Sequence, residues 1–215
     1  DAASRLTGCG AVALGYNGVG NPVTRTTAGQ TVGYYYNHAI SARALVAERD
    51  ETGGSWRRFY VLTPQGELLY AIEVAQGNAV RFYHFDRRGN TLFLTDESGA
   101  LTDAYAYTPY GVQLHHQGSS TQPFTFGGAT QTRREHDTLY QMGARIYDAQ
   151  TARFISREPL WPTAIQPKAL NPYQYAFANP LKYLDRNGLN STSQNQRFKN
   201  YQASPKEYIE WRMAQ

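Results

Sequence analysis

Two stretches of this chain share one register. Tyr16-Asn17-Gly18-Val19-Gly20-Asn21 is followed, twenty residues after its tyrosine, by Tyr36, and Phe85-Asp86-Arg87-Arg88-Gly89-Asn90 is followed at the same interval by Tyr105. In both copies a Gly-Asn pair begins four residues after the first aromatic, and a further glycine stands at Gly29 and Gly99. Gly and Asn accept the positive φ of tight hairpin turns. Alternation such as Tyr105-Ala106-Tyr107 puts rings on one face at period two. Each unit therefore reads as strand, turn, strand, turn, strand.

Further strand candidates lie between the copies at Trp56–Thr63, Leu68–Val74 and Ala79–Phe85, with turns at Pro64-Gln65-Gly66 and Gln76-Gly77-Asn78. Short strands at this spacing predict a continuous antiparallel sheet or barrel. Composition agrees: 17 Tyr, 9 Phe and 19 Gly against 2 Met mean that aromatics supply the apolar surface and glycines the turns. A two-strand unit cannot bury its own aromatic face, so neighbours must stack. A fragment of this size leaves open strand edges, which implies membership of a larger shell or capping by a second shell chain.

From Thr121 the pattern changes. Pro123-Phe124-Thr125-Phe126-Gly127-Gly128 reads as a strand ending in a turn, and Leu139–Asp148 and Arg153–Ser156 as two more strands. Asn190–Ala203 is polar and reads as a linker. Ser204-Pro205-Lys206-Glu207 has the form of a capping box and predicts a short helix over about Pro205–Met213. The expected architecture is a mainly β, antiparallel repeat sheet with a short C-terminal helix. It divides into repeat strands at 1–120, a core with a junction at 121–189, and a linker that opens a variable region at 190–215.

Eight ordered pieces resemble the RHS repeat-associated core domain of bacterial polymorphic toxins and of the C component of insecticidal toxin complexes. They are 83–90, 95–99, 105–111, 123–128, Gly143-Ala144-Arg145-Ile146-Tyr147-Asp148, Ala152-Arg153-Phe154-Ile155-Ser156, 171–180 and Asp185-Arg186-Asn187-Gly188-Leu189. The resemblance is strong over about 80–189 and looser, of YD-repeat kind, over 10–80. It implies a β-shell that encloses a C-terminal toxin and detaches it by aspartic-type self-cleavage after a Gly-Leu pair, here at Leu189–Asn190. Matched by position, it places the catalytic carboxylates at Glu158 and Asp185 and the assisting arginine at Arg145.

This chain departs from the family pattern twice, with Glu158 where Asp is usual and Arg186 where Pro is usual. Paired carboxylates work by sharing a proton, one as base toward water and the other as acid toward the carbonyl. The extra methylene of Glu158 displaces its carboxyl, and an error of about 1 Å costs on the order of 10²-fold in rate. A cation at Arg186 is expected to favour ionised Asp185.

The implied partners are the chain's own C-terminal toxin region, the rest of the shell, and a secretion-system or toxin-complex component. The implied location is secreted or cell-surface delivered, and cytoplasmic before export. No cofactor is implied. Cys9 is the sole cysteine, which excludes an internal disulfide and a cysteine zinc site. No apolar run reaches the roughly 18–20 residues of a membrane span. The net charge of +4 is modest, and the basic pairs Arg57–Arg58, Arg87–Arg88 and Arg133–Arg134 are scattered, so no nucleic-acid surface is expected. His115-His116 is expected in a solvated loop, without metal-like spacing. Asp86 and Asp96 lack the oxygen-rich loop that calcium needs. Tyr34-Tyr35-Tyr36 and Trp161 read as sheet or inner-shell packing ahead of sugar stacking. The competing function is a cell-surface adhesion or carbohydrate-binding module without proteolysis.

Overall fold

The computed structural model describes residues 5–41, 43–158, 171–186, 188–189 and 192–193. The expected C-terminal helix, Trp161 and Asn190 lie outside the described residues. Eleven strands form one antiparallel sheet in strict chain order. They are β1 (Gly8–Cys9), β2 (Val12–Tyr16), β3 (Pro22–Thr27), β4 (Gln30–Tyr36), β5 (Leu45–Asp50) and β6 (Trp56–Leu62), then β7 (Leu68–Glu73), β8 (Ala79–Phe85), β9 (Thr91–Thr95), β10 (Leu101–Tyr107) and β11 (Gln113–Gln117). No described helix is long and apolar enough to cross a membrane.

One turn design recurs along this meander. Asp86 Oδ1 accepts hydrogen bonds from the Arg88 and Asn90 amides at 2.7 and 2.9 Å, while the Gly89 amide donates to the Asp86 carbonyl at 3.0 Å. Asn17 with Gly20 and Asp96 with Gly99 repeat the arrangement. Thr108 and Thr63 substitute a hydroxyl for the carboxyl, with Gly111 and Gly66 closing the turn. The repeated Asx residue is thus a turn-former, accepting the amides that the bend leaves without strand partners.

The covered face of the sheet alternates large and small side chains. Tyr34, Tyr60, Tyr83 and Tyr105 come from β4, β6, β8 and β10, while Leu45, Leu68, Ala71 and Leu94 come from β5, β7 and β9. Rings on every second strand leave gaps into which the aliphatic residues of the strands between them fit.

Residues 121–136 cross this face as a strap. Phe124 packs 4.9 Å from the Tyr60 ring, and its carbonyl accepts from Thr91 Oγ1 at 2.7 Å. The Gln131 side chain makes two 3.0 Å hydrogen bonds with the Leu45 backbone, one in each direction. Arg25 donates twice to the Glu135 carbonyl. The end of the strap is β12 (Arg133–His136), which with β13 (Leu139–Met142), β14 (Arg145–Asp148) and β15 (Arg153–Phe154) forms a second antiparallel sheet. β16 (Tyr183–Leu184) pairs with β17 (Thr192–Ser193). A second core gathers Phe126, Tyr140, Met142, Tyr147, Phe154 and Tyr175. Gly111 is required at its margin, because a Cβ there would lie 2.6 Å from the Phe126 ring.

The antiparallel β architecture matches the sequence expectation, and four local details differ. Pro123–Phe126 is not a strand but part of the strap, since its backbone hydrogen-bonds Thr91 and Arg134 singly rather than in a ladder. Leu139–Asp148 is a hairpin, β13 and β14, turned at Gly143-Ala144. Arg153–Ser156 is strand only at its first two residues. His115-His116 lies in β11, and His116 stacks 4.5 Å from Tyr105 with Nε2 at 3.0 Å from Asp103, so it is packed rather than in a solvated loop. Of the tyrosine triplet, Tyr34 is buried and Tyr36 half-buried, while Tyr35 is exposed on the other face.

Candidate functional site

Arg145 opens β14 immediately after the Gly143-Ala144 turn. Its side chain lies between three backbone segments that the sequence separates widely. The guanidinium sits 3.6 Å above the Phe154 ring. Nη2 meets Glu158 Oε2 at 2.9 Å and Asp185 Oδ2 at 3.4 Å. Nη1 donates to the Pro172 carbonyl at 3.0 Å, and Nε donates to the Gly188 carbonyl. One arginine nitrogen therefore carries both carboxylates, whose oxygens are no further apart than those two contacts together.

Each carboxylate is placed by its own backbone. The Glu158 amide donates to the Pro172 carbonyl at 2.9 Å, which ties the end of the β15 extension to the 171–180 segment. Asp185 follows β16 directly, and its Oδ1 accepts from the Leu189 amide at 3.1 Å. Gly188 has φ +65°, and a Cβ there would lie 2.3 Å from the Met142 carbonyl. Only glycine lets the 188–189 backbone press against the β13–β14 turn and still reach Arg145.

Burial separates the two acids. The Asp185 side chain is 2% exposed and that of Glu158 13%. Burial raises the Asp185 pKa to about 6; Arg145 opposes the shift and Glu158 adds to it. Arg186 is not among the dominant influences, so its expected pull toward the ionised form does not set the outcome. Burial also lowers the pKa of Arg145, with Glu158 and Asp185 offsetting part of the effect.

The structure thus brings Glu158, Asp185, Arg145 and Leu189 together, and Asn190 is outside the described residues. Sequence reasoning missed three contributors: the Phe154 ring, the Pro172 carbonyl and Gly188 as a close-approach residue. A carbonyl leaves no side-chain signature, and only the glycine carried a readable signal. Chemically, the arrangement offers a protonatable acid, a second carboxylate and a cation around one immobilised backbone turn.

Residues 8–181 match the family model described as Teneurin YD-shell. Salivary gland surface protein 1 of Aedes aegypti is 31% identical over 104 residues, which cover 48% of this chain and 3% of that protein. The tRNA3(Ser)-specific nuclease WapA of Bacillus spizizenii is 23% identical over 174 residues, or 80% of this chain and 7% of that one. The chain therefore spans only a small part of the length of these relatives. Among solved structures, a chain of a Photorhabdus luminescens Tc holotoxin pore superposes with a TM-score of 0.63 at 18% identity, covering 84% of this chain and 9% of its own. A chain of the TcdB2-TccC3-Cdc42 crystal structure gives 0.61 at 17% identity, covering 83% and 9%. These likenesses concern fold, and together with the family match they lead to one conclusion: the chain belongs to the Teneurin YD-shell family.

Proposed function

We propose that this chain is a shell segment that encloses a C-terminal toxin region and detaches it by aspartic-type self-cleavage at Leu189–Asn190. The observation that carries the reading is the convergence of Glu158, Asp185 and the Gly188 carbonyl on Arg145. On this reading, residues 1–120 build the wall, 121–189 form the cleavage module, and 190–215 begin the detached region. The remaining shell, or a second shell chain, would cover the sheet edges. Delivery outside the cell, through a secretion system or toxin complex, would follow synthesis in the cytoplasm.

Asp185, with its pKa near 6, is the acid. Its proton passes to the Leu189 carbonyl oxygen while Glu158 takes a proton from the attacking water, whose oxygen bonds to the carbonyl carbon. Collapse breaks the C–N bond, the Asn190 nitrogen takes the proton from Glu158, and the carbonyl proton returns to Asp185. Arg145 holds the carboxylates and the Gly188 carbonyl in register. Its stacking on Phe154 resists drift of the guanidinium.

Intact mass spectrometry of the purified chain over time should show a product ending at Leu189, absent in Asp185→Asn. Glu158→Asp should accelerate its appearance by on the order of 10²-fold if the added methylene is what misplaces the base. Folded protein that stays intact both as wild type and as Glu158→Asp would overturn the reading.

The adhesion alternative draws on a separate observation. On the open face, Tyr35 and Trp56 are each 40% exposed and meet edge to face at 5.1 Å. A glycan screen with no hit lost on Trp56→Ala would remove it.

A further inference from the structure

The turn between β10 and β11 is gripped by side chains from several segments. Thr108 closes its backbone, accepting the Gly111 amide at its carbonyl and the Val112 amide at its hydroxyl. The next three carbonyls are each taken from elsewhere. Arg88 of the β8–β9 turn donates to Pro109 at 3.0 Å, Tyr147 of β14 to Tyr110 at 2.8 Å, and Tyr140 of β13 to Gly111 at 3.0 Å. The Tyr110 hydroxyl in turn donates to the Ala178 carbonyl at 3.1 Å.

Ala178 ends a backbone conformation that residues with a Cβ adopt at a cost. Ala176, Phe177 and Ala178 have φ of +49°, +51° and +54°, in the left-handed region three times in succession. The turn closes on itself, with the Ala178 amide on Tyr175 and the Asn179 amide on Ala176, both at 2.9 Å. It joins two halves of the Arg145 cluster. Upstream, the buried Tyr175 ring packs 6.0 Å from Phe154, the ring beneath Arg145. Downstream, Asn179 accepts from the Lys182 and Tyr183 amides, Phe177 meets Tyr183 edge to face at 5.2 Å, and β16 leads directly to Asp185.

We infer that Tyr110 is a positioning residue for this site: its hydroxyl braces the left-handed turn at 176–178, and through β16 that turn fixes where Asp185 stands. The effect on rate rests on the self-cleavage reading, but the geometry does not. A brace matters here because the strained turn has a less costly competitor, in which one of its residues relaxes to negative φ. Relaxation redirects the chain into β16 and takes Asp185 away from Arg145 and the Leu189 amide. The hydroxyl suppresses that competitor only once the β10–β11 turn has formed. Completion of the last hairpin of the wall is thereby tied to assembly of the site.

The test compares Tyr110→Phe, Ala178→Gly and the double variant with the wild type. Tyr110→Phe keeps the ring and removes the hydroxyl, while Ala178→Gly removes the Cβ penalty and with it the need for a brace. Ala28→Gly, at a positive-φ position between β3 and β4, controls for a general gain in stability. The placement of Asp185 is read from exchange of the Leu189 amide, which it accepts. That exchange is measured by NMR in a Glu158→Gln background, where the chain stays intact. Tyr110→Phe should speed it about fivefold, the effect of one net hydrogen bond, and should slow self-cleavage of the Glu158 chain by the same factor. Added to Tyr110→Phe, Ala178→Gly should restore both and Ala28→Gly neither. Unchanged exchange in Tyr110→Phe, or rescue by Ala28→Gly as complete as by Ala178→Gly, would overturn the inference. If exchange responds as described while no chain is ever cut, Tyr110 keeps its positioning role and the self-cleavage reading falls instead.

Discussion

Two buried arginines in this molecule each hold two carboxylates, and they behave in opposite ways. Arg58, on the covered face of β6, meets Glu73 through Nε at 2.6 Å and Glu48 through Nη1 at 3.4 Å. Arg145, on β14, meets Glu158 and Asp185. Around Arg58 the carboxylates have further donors: Tyr60 donates to Glu48 at 2.6 Å, and Gln122 from the strap donates to Glu73 at 2.6 Å. Burial works against the charge of Arg58, but Tyr60, Glu48 and Glu73 outweigh it and its pKa is raised well above the ordinary value. Around Arg145 burial wins, its pKa falls, and Asp185 rises to about 6. Arg145 also spends two of its donors on the carbonyls of Pro172 and Gly188, which carry no charge to stabilise it. The same three charged groups thus form a saturated clamp in one place and a proton-active cluster in the other. Arg58 gains more from its partners than burial costs it, and Arg145 does not.

The largest expected effect comes from breaking the clamp. Arg58→Met leaves Glu48 and Glu73 buried without their cation and should cost about 3–5 kcal/mol in chemical denaturation. The triple variant that adds Glu48→Gln and Glu73→Gln to Arg58→Met should recover part of that loss. A neutral Arg58→Met would show that the clamp does not stabilise the fold.

The next effect is a pH dependence that belongs to the Arg145 cluster. The folded pKa of Asp185 stands above its unfolded value of 3.8, so the folded state binds its proton more tightly. The stabilisation is complete below that unfolded value and is lost as pH rises through about 6. At 1.36 kcal/mol per unit, roughly 2–3 kcal/mol is at stake over that window. Unfolding free energies measured between pH 4 and 7 should fall with pH in the wild type, and this component should vanish in Asp185→Asn. An unchanged slope in that variant would show that Asp185 does not carry the effect.

The smallest of the three concerns the strap. Gln122→Ala removes a donor to Glu73 and the acceptor for the buried Tyr83 hydroxyl, and should cost about 1–3 kcal/mol. In a double-mutant cycle with Arg58→Met the two losses should not add, because both groups serve Glu73. Combined with Arg145→Met, at the other cluster, they should.

Much of the wall was legible because its information is local. The strand at Ala79–Phe85, the turns after Asp86 and Asp96, and the alternating face of Tyr105-Ala106-Tyr107 follow from residues within a few positions of one another. The sequence pointed to the positions of Arg145, Glu158 and Asp185 only through resemblance, since nothing in a lone Asp or Glu reveals its neighbours. Pro123–Phe126 was misread because its contacts are single and long-range. Pro123–Phe126 looks like a strand by composition, yet its carbonyls and side chains are used one at a time by Thr91, Tyr60 and Arg134. Ala176, Phe177 and Ala178 take positive φ in succession, a conformation costly for residues with a Cβ and one that no propensity suggests.

By itself, then, the sequence determined the meander. Period-two aromatics and Asx-to-glycine turns pair each strand with its chain neighbour, and that pairing needs no knowledge of the rest of the molecule. Only the tertiary structure decided what the buried charges do. A strand arginine reads the same in sequence at Arg58 and Arg145; whether it becomes a clamp or a titrating site depends on how deeply each group is buried and on which distant donors, such as Gln122 on the strap or Leu189 in the hairpin loop, reach its acids. Desolvation and long-range hydrogen bonds set that balance, and neither has a period along the chain.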